Sequence, residues 1–560
     1  MKLKANVQFK PLTAHQAVLF PQSLDDRIAK DHAVRIVNSV VDKLNIDDIL
    51  ESYKGGGTSS FHPRMMLKVL FYSYFNNIYS CRKIAKALEE NIYFMWLSGN
   101  SNPDYRTINE FRGKRLKDKI QTLFSELVKL MQELGYVSLE TQFVDGTKLE
   151  SVANRYTFVW KKSIEKNKEK LEKKVQSILG DIDKTIESDK VESSSENTVK
   201  QVNKEELDRK IAELNTRLDE LSKSEKKQVK ELSKHAQKLG EYQQHLDKME
   251  DRNSYSKTDP DATFMRMKED HMGNGQLKPA YNLQISTENQ VVTNFSIHQR
   301  PNDTGTLKSH LEQFKNFFGK KSKTVVADAG YGSEENYTYL EVENIEPYVK
   351  YNQFYQEQKG NKKNPFQAAN LFYNAEGDFY VCPMGQRMEK IGTAKTKSER
   401  GFESEATIYQ AIRCEGCPLR GICHDSKENR QIKVNHNLNR LRAKARDLLL
   451  SEQGIQYRKL RCIEPESVFG QLKSNNSFNR MKMRGIPKVE IDLGLAIIGH
   501  NLRKIVAKKT TSKTDSLKTQ LKTVLKAFLN PIRAFIANFY KLQTNLLVFK
   551  PKSSLNLARF

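Results

Sequence analysis

Three carboxylates occupy positions in the sequence where a metal-dependent site can form. Asp145 follows the apolar start of "TQFVDGTKL", Asp328 ends the apolar run "TVVAD", and Glu466 stands in the first turn of a predicted helix. Hard carboxylate oxygens suit Mg²⁺ and Mn²⁺, and two carboxylates alone hold such an ion poorly. The three acids therefore predict a divalent-metal site if the fold brings them together.

Each acid also has an ordinary structural interpretation. "VDG" suits a hairpin turn, and an Asp at the end of a strand commonly caps a turn or helix by accepting backbone N–H bonds. Glu466 could belong to a plain surface helix, and Glu464 is a rival third acid. Only Glu466, however, precedes a lysine by seven residues. Lys473 lies two helical turns further on and on the same face, where an acid and a cation can together hold a phosphate at a metal ion.

The segments around these acids predict an order of elements that would bring the acids together. A strand at "TQFVDGTKL" is followed by an insertion, a two-stranded hairpin in "AYNLQISTENQVVTNFSIHQ", a helix, the strand ending at Asp328, a second helix and a strand at "EPYVKY". Asp303 is the predicted N-cap of the first helix. Its predicted buried face contains Leu307, His310, Leu311 and Phe314. This is the order of an α/β, RNase H-like fold, a mixed five-stranded sheet with flanking helices, whose first and fourth strands are neighbours.

Residues 161–250 differ in kind from the segments on either side. They contain 21 Lys and Arg, 20 Asp and Glu, and no Pro. One apolar seam with heptad spacing runs through Leu207, Ile211, Leu214, Leu218 and Leu221, and a looser one through Leu171, Val175, Ile178, Ile182 and Ile186. The polar stretch "ESDKVESSSENTVK" separates them. The pattern predicts an antiparallel coiled-coil hairpin inserted into another domain.

The net charge indicates a polyanionic partner. The 560 residues carry a formal charge of +25, from 93 Lys and Arg against 68 Asp and Glu. Because the insertion is almost neutral, the surplus belongs to the rest of the chain, which favours a nucleic-acid footprint. The N-terminus has no apolar signal region, and the apolar runs are shorter than the ~20 residues of a membrane helix. We therefore expect a cytoplasmic protein with no membrane partner.

The N-terminal part reads as a bundle of helices with a basic surface. The segment 79–120 gives two helical patterns around a Gly/Asn/Pro turn, and the second begins after Asp104. A DNA-binding helix-turn-helix has this pattern, and so does an ordinary helical domain with a basic solvent face. The candidate DNA contacts are Arg106, Arg112, Lys114 and Arg115 here, and Arg480, Lys482 and Arg484 after the third acid.

Four of the six cysteines cluster between the second and third acids. They are Cys382, Cys414, Cys417 and Cys423. The C-x2-C pair with two further thiols fits a structural zinc site of four thiolates, and the alternative is a loop of reduced, unliganded thiols. Cys81 and Cys462 have the pattern of core or helix-face residues, and His500 with Asn501 that of a packed pair in a helix.

These segments together resemble the DDE insertion-sequence transposases of the IS-four superfamily, most closely the IS-eleven-eighty-two type. The resemblance covers nearly the whole chain. It includes "LFPQSLDDRIAKDHAVRIVNSVVD", "FVDGTKLESVANRYTFVWKK", "VVADAGYGSEENY", "IEPESVFGQLKSNN" and "RGIPKVEIDLGLAIIGHNLRKI". The third acid of that superfamily sits in a Tyr-x2-Arg-x3-Glu-x6-Lys pattern. Glu466 and Lys473 match it. Arg461 lies one position further upstream than the pattern requires, and three residues, not two, separate it from Tyr457.

The resemblance implies phosphoryl transfer with two Mg²⁺ or Mn²⁺ ions. Asp145 would bind both ions, while Asp328 and Glu466 would each complete one site. One ion would activate water or a 3′-hydroxyl, and the other would stabilise the leaving oxygen. Lys473 and Arg461 would bind phosphate beside the cleaved bond.

The predicted organisation has six parts. They are a helical DNA-binding domain at 1–135, a first part of the RNase H-like core at 136–160 and 251–355, a coiled-coil hairpin at 161–250, a Cys-containing insertion at 356–430, the rest of the core at 431–510, and a basic amphipathic tail at 511–560. The implied function is transposition by a bacterial, nucleoid-associated enzyme that acts as a homodimer, in a synaptic assembly, on the double-stranded DNA of transposon ends and target. The alternatives are a metal-dependent nuclease without strand transfer and a domesticated DNA-binding protein without catalysis.

Overall fold

The structure is a computed structural model that describes residues 23–53, 59–187, 204–216, 223–267, 275–359, 364–398 and 400–509. The predicted tail at 511–560 and most of the polar turn predicted at 187–200 lie outside these ranges. No helix in the described part of the chain has the length and the apolar composition of a membrane-spanning segment.

The N-terminal part is helical, as its sequence predicts. The helices are α1 (Leu24–Arg27), α2 (Ala33–Lys43), α3 (Asp47–Glu51), α4 (Pro63–Phe75), α5 (Cys81–Glu90), α6 (Ile92–Ser98), α7 (Tyr105–Glu110) and α8 (Ile120–Glu133). Pro63 is the first residue of α4, and the Asp104 side chain caps α7 by accepting the Thr107 N–H at 2.7 Å. Helix α7 has only six residues before a π-helical turn, Phe111–Arg115, replaces it. The predicted second helix of the helix-turn-helix is therefore short.

A mixed six-stranded sheet forms the centre of the molecule. Its strands are β1 (Thr141–Glu150), β4 (Thr263–Arg266), β5 (Leu277–Glu288), β6 (Val291–His298), β7 (Thr324–Ala327) and β8 (Glu346–Val349). The order is β4-β5-β1-β7-β8, and β6 also pairs with β5. β5 runs antiparallel to β1, β4 and β6, whereas β1, β7 and β8 are parallel to one another.

This sheet is compatible with the predicted RNase H-like fold and differs from the prediction by one strand. The first and fourth predicted strands, β1 and β7, are neighbours, with Phe143 opposite Val326. The sixth strand is β4, which extends the edge beside β6 by pairing with residues 277–280 of β5. The helices α12 (Leu307–Phe318) and α13 (Glu334–Val342) connect β6 to β7 and β7 to β8.

The insertion between β1 and β4 contains three helical segments and a small two-stranded sheet. They are α9 (Lys161–Glu187), α10 (Lys204–Thr216) and α11 (Lys223–Met249), between the paired strands β2 (Phe158–Trp160) and β3 (Ser254–Ser256). Both α9 and α10 pack against α11. Their common core includes Leu171, Val175, Leu207, Ile211, Leu232, Ala236 and Leu239. The described residues thus form three packed segments and not the predicted two-helix hairpin, because α11 supplies apolar residues that the two seams do not contain.

The second half of the chain adds a β-rich insertion and the closing helices. After α14 (Phe354–Gln358), a separate five-stranded sheet contains β9 (Phe372–Asn374), β10 (Phe379–Val381), β11 (Arg387–Lys397), β12 (Glu403–Ala411) and β13 (Gln431–Val434). The helices α15 (His436–Leu450), α16 (Glu452–Arg461) and α17 (Glu464–Gly470) follow. A π-helical turn, Gln471–Asn475, extends α17, and α18 covers 486–509.

One hydrophobic cluster joins the N-terminal helices to the sheet and to α18. It contains residues of α2, α4, α5 and α8, of β5 and β6, and of 489–505. Buried polar contacts support it: the Tyr74 hydroxyl donates to Asp492 Oδ1 at 2.6 Å, and Asn501 bonds both backbone groups of Val292 at 3.0 and 2.8 Å. His500 and Asn501 are fully buried, so the packed pair predicted from the sequence is confirmed. The helical part therefore shares its core with the sheet.

Candidate active site

Asp145 and Asp328 lie at the point where two parallel strands of the central sheet diverge. Asp145 is in the middle of β1, opposite Ile285 of β5. The pairing of β1 with β7 covers Thr141–Phe143, and Asp328 follows directly after the last residue of β7. The hairpin-turn interpretation of "VDG" is therefore wrong, since β1 continues through Gly146 to Glu150.

Arg461 brings the three predicted acids together. Its Nη2 atom is 3.5 Å from Asp145 Oδ2 and 3.2 Å from Asp328 Oδ2, while Nη1 is 3.9 Å from Glu466 Oε1. Arg461 and Asp145 are buried, whereas the Asp328 and Glu466 side chains are 38% and 56% exposed. Three carboxylates from β1, from the end of β7 and from α17 thus share one cationic neighbour near the surface.

The two aspartates are oriented by the backbone beside them. Asp145 Oδ1 accepts the Gly146 N–H at 2.8 Å, and Asp328 Oδ1 accepts the Gly330 N–H at 2.9 Å. Asp328 thereby caps the 3₁₀ turn Ala329–Tyr331, so it is both the turn residue of the ordinary interpretation and a member of the acid cluster. In each case Oδ1 is fixed locally and Oδ2 faces Arg461.

The two candidate third acids point in different directions. Glu466 faces Arg461, whereas Glu464 is buried and its Oε2 accepts the Gln290 N–H in the β5–β6 turn at 2.6 Å. Burial raises the pKa of Glu464 above its ordinary value. Glu464 therefore attaches α17 to the hairpin, and the arrangement favours Glu466 as the third acid of the cluster.

A fourth acid, Asp303, lies behind the cluster, and sequence reasoning gave it another role. Its Oδ1 accepts amide N–H bonds from Asn282 at 2.8 Å and Gln284 at 2.9 Å. Thr306, and not Asp303, is the N-cap residue of α12. The predicted cap is thus wrong, because the Asp303 side chain turns towards β5. The predicted buried face of α12 is confirmed, since Leu307, His310, Leu311 and Phe314 are all buried.

Close packing behind the acids explains the glycine of "VDG". A Cβ added to Gly146 would lie 2.8 Å from Asp303 Oδ1 and would also overlap the Gln284 amide. Beside them, the buried Tyr331 hydroxyl donates to Gln284 Oε1. Burial, and then the charges of Asp303, Asp145 and Asp328, hold the pKa of Tyr331 well above its ordinary value.

The other two predicted motif residues are Tyr457 in α16 and Lys473 after α17. The Tyr457 ring packs edge-on against Phe143 at 5.8 Å and Tyr348 at 4.9 Å between ring centroids. Lys473 is half-buried and lies in the π-helical turn after α17. Because that turn is wider than an α-helix, the seven-residue spacing from Glu466 is not two regular α-helical turns.

The acid cluster fits a divalent cation by the chemistry of its donors and by the position of Arg461. As the side chains are arranged, no three His, Cys, Asp or Glu residues of the described ranges stand close enough to hold a metal ion. The guanidinium instead lies among the three acids and balances their charge, as a cation would. The hard oxygens of Asp145, Asp328 and Glu466 are the donors that Mg²⁺ and Mn²⁺ prefer.

The four clustered cysteines do not form a closed zinc site as they are arranged. Cys382, Cys414, Cys417 and Cys423 line one small cavity together with His424 and Arg430. Arg430 fills part of it, since its Nη1 lies 2.9 Å from Cys423 Sγ and its backbone N–H donates to Cys414 Sγ at 3.3 Å. A structural zinc site requires four ligands in tetrahedral contact with the ion. The described residues therefore give the predicted zinc no support.

Of the seven predicted DNA contacts, three are held by contacts within the protein and four are exposed. Arg115 bonds Ser52 and stacks on Tyr53, and Arg480 donates to the Ser151 and Ala153 carbonyls. Arg112 is buried and donates to the Tyr74 hydroxyl at 3.1 Å and the Tyr79 carbonyl at 2.8 Å. This corrects the expectation that Arg112 belongs to an exposed basic face. The other four, all exposed, are Arg106, Lys114, Lys482 and Arg484.

The comparisons with known proteins agree with the type of site. A family model described as a transposase DDE domain matches residues 381–506, which contain Arg461, Glu466 and Lys473. A second, described as a transposase domain, matches residues 22–114. Asp145 and Asp328 lie outside both matches. A search of curated proteins finds no match. The two family matches indicate a transposase of the DDE type.

Proposed function

We propose that this protein is the DNA transposase of a bacterial insertion sequence of the IS-four superfamily. It would bind the terminal inverted repeats as a homodimer, cleave the DNA strands there, and join them to a target. The observation that carries the proposal is the contact of one guanidinium, that of Arg461, with three carboxylates from distant parts of the chain. Carboxylates gathered in this way can hold the divalent ions that act in two-metal phosphoryl transfer.

The residues have distinct roles in the proposed reaction. Asp145, Asp328 and Glu466 would hold divalent metal ions, which when bound activate a water or 3′-hydroxyl and stabilise the leaving oxygen. The local N–H bonds of Gly146 and Gly330 keep the two Oδ2 atoms directed at the common site. Arg461 would contact the phosphate beside the cleaved bond, because guanidinium groups bind phosphate oxygens with fixed geometry. Lys473 would add a second phosphate contact.

The test uses a labelled DNA duplex with the terminal sequence of the insertion element that carries the gene for this protein. The duplex is incubated with the purified protein and Mn²⁺. Wild type is compared with Asp328→Asn, which keeps the shape of the side chain and removes its charge. We expect wild type to nick and join the end, while the variant binds the duplex and leaves it intact. Cleavage without joined products would favour the alternative function, a metal-dependent nuclease without strand transfer. Equal cleavage by the two proteins would overturn the role of Asp328.

A further inference from the structure

The described residues form a basic cleft whose two walls come from distant parts of the sequence. The cleft has a volume of about 1070 Å³. One wall is formed by residues 77–83 and 105–114, and the other by residues 482–488, with Val152 between them. Five of the seven DNA contacts predicted from the sequence therefore line one cavity, although nearly 370 residues separate the first three from the last two. They are Arg106, Arg112, Lys114, Lys482 and Arg484.

The charge of the cleft is strongly one-sided. Its lining contains eight Lys and Arg residues and a single acid, Glu110. Glu110 is paired with Lys114 at 2.8 Å. Six other cations of the lining are exposed, and within the described ranges no carboxylate lies at ion-pair distance from any of them. They are Arg82, Lys83, Arg106, Lys482, Arg484 and Lys488. Like charges gathered without acids repel one another, so the arrangement favours an anionic ligand.

The helical wall offers hydrogen-bond donors for phosphate groups at the N-terminus of α5 and at Arg112, and it carries two further arginines over one tyrosine ring. The first residues of the ten-residue helix α5 line the cleft, and its N-cap, Ser80, makes no side-chain bond to the first-turn amides. Backbone N–H groups at a helix N-terminus bind phosphate oxygens. Arg112, whose buried Nε has no hydrogen-bond partner, forms part of the cleft wall. Arg82 and Arg106 lie over the Tyr105 ring, at 5.0 and 5.7 Å from its centroid.

Hydrogen bonds join the two walls of the cleft. Arg112 and Asp492 both bond the Tyr74 hydroxyl, and Asp492 Oδ2 also accepts the Lys482 N–H at 2.6 Å. Arg484 donates to the Val152 carbonyl at 3.2 Å. The two walls thus belong to one scaffold.

We propose that this composite cleft binds the phosphate backbone of double-stranded DNA. This proposal adds a DNA-binding surface to the proposed function. It rests on that function only for the identity of the polyanion. DNA would be held jointly by the N-terminal helices and by the segment 482–488 that follows the third acid, not by a separate helix-turn-helix. Backbone contacts of this kind position a duplex without reading its sequence.

The test compares the two walls separately. Arg82→Gln/Arg106→Gln changes the helical wall, and Lys482→Gln/Lys488→Gln changes the other. Lys234→Gln/Lys238→Gln, on the exposed side of α11, removes the same charge outside the cleft. Binding of a fluorescent 30-base-pair duplex is measured by anisotropy at several KCl concentrations, and thermal unfolding checks that each variant is folded.

Each cleft variant is expected to weaken binding roughly tenfold and to reduce the slope of log K against log salt by about 2, since each phosphate contact contributes ~0.9. The α11 variant should match wild type. A wild-type slope in the Lys482/Lys488 variant, or an equal loss in the α11 variant, would overturn the composite cleft. Stronger competition by an RNA duplex of the same sequence would overturn the choice of DNA. The binding assay tests the cleft separately from the proposed function. Failure of the proposed function would instead be seen in the cleavage assay, as Mn²⁺-dependent cleavage that Asp328→Asn does not affect.

Discussion

Asp145 and Asp328 are held in the same way: in each, Oδ1 accepts a backbone N–H and Oδ2 faces the Arg461 guanidinium. The two acids belong to segments that are 183 positions apart in the sequence. The parallel pairing of β1 with β7 makes them neighbours. Their carboxylates are therefore oriented before any ligand arrives, which is a property expected of a catalytic site and uncommon in a surface ion pair.

Replacing Arg461 should make the stability of the fold depend more strongly on bound metal. In Arg461→Ala the three acids lose their common cation, so the free energy of unfolding without metal should fall by roughly 2 kcal/mol. This is less than the ~3–5 typical of fully buried pairs because two of the acids are partly exposed. Mn²⁺ should then raise the melting temperature of the variant more than that of wild type, because the metal replaces the lost positive charge.

Differential scanning fluorimetry with and without Mn²⁺ measures both effects. Lys459→Ala, which removes an exposed cation from the same helix, is the control and should behave as wild type. Equal Mn²⁺ shifts in wild type and Arg461→Ala would show that the guanidinium does not occupy the position of the metal.

Glu464 and Glu466 should respond differently to the same change. Glu466→Gln should lower the Mn²⁺-dependent cleavage rate by about a hundredfold or more, because changes even in the groups that orient metal ligands cost about 10–100-fold. Stability should change little, because the side chain is 56% exposed. Glu464→Gln should retain cleavage, since its side chain faces the Gln290 N–H. Cleavage assays on the labelled duplex, with unfolding curves for both variants, decide the matter. The reverse pattern would make Glu464 the third acid.

A side chain at position 146 should destabilise the fold. In Gly146→Ala the added methyl group would meet the Asp303 carboxylate and the Gln284 amide. The free energy of unfolding should fall by about 1–3 kcal/mol, as overpacking of a core does. Gly180→Ala is the matched control: nothing lies within 4 Å of its added Cβ in α9, so it should stabilise by up to about 1 kcal/mol. Urea unfolding measures both, and a neutral Gly146→Ala would contradict the close packing.

Acid should destabilise the fold through His310. Burial, and then the charge of His298, lower the pKa of His310 to about 3. The ring lies between the Ser286 and Ser296 hydroxyls at 2.8 and 2.7 Å. The unfolded chain binds this proton near pH 6.5 and the folded chain does not, so the stability present above pH 6.5 is lost as the pH falls. Between pH 6.5 and pH 3 the loss should approach about 1.4 kcal/mol per pH unit.

Urea unfolding at pH 7, 6 and 5 follows this loss. His310→Gln, which keeps polar contacts and cannot titrate, should show a shallower dependence. Some dependence should remain, because burial lowers the pKa values of His298 and His500 to about 4. An identical pH dependence in wild type and variant would show that His310 does not carry the effect.

Several features followed from local patterns in the sequence. The buried run Val325–Ala327 gave a strand, Pro63 and Asp104 gave helix starts, and the periodicity of α12 gave its buried face. These depend on neighbours in the chain, through alternation, capping and backbone restriction. The third helix of the insertion and the sixth strand of the sheet were missed. Helix α11 packs against α9, from which α10 separates it in the chain, and β4 has only four residues, which is short for an alternating pattern.

The sequence alone determined the order of the elements, the positive charge and the three acids to consider. Only the tertiary structure decided which groups meet. It placed Arg461 among the acids although its spacing departs from the expected motif, turned Glu464 away, and buried Arg112 while it brought Lys482 opposite Arg106. The physical reason is that side-chain direction and burial depend on long-range packing, which one-dimensional spacing does not contain.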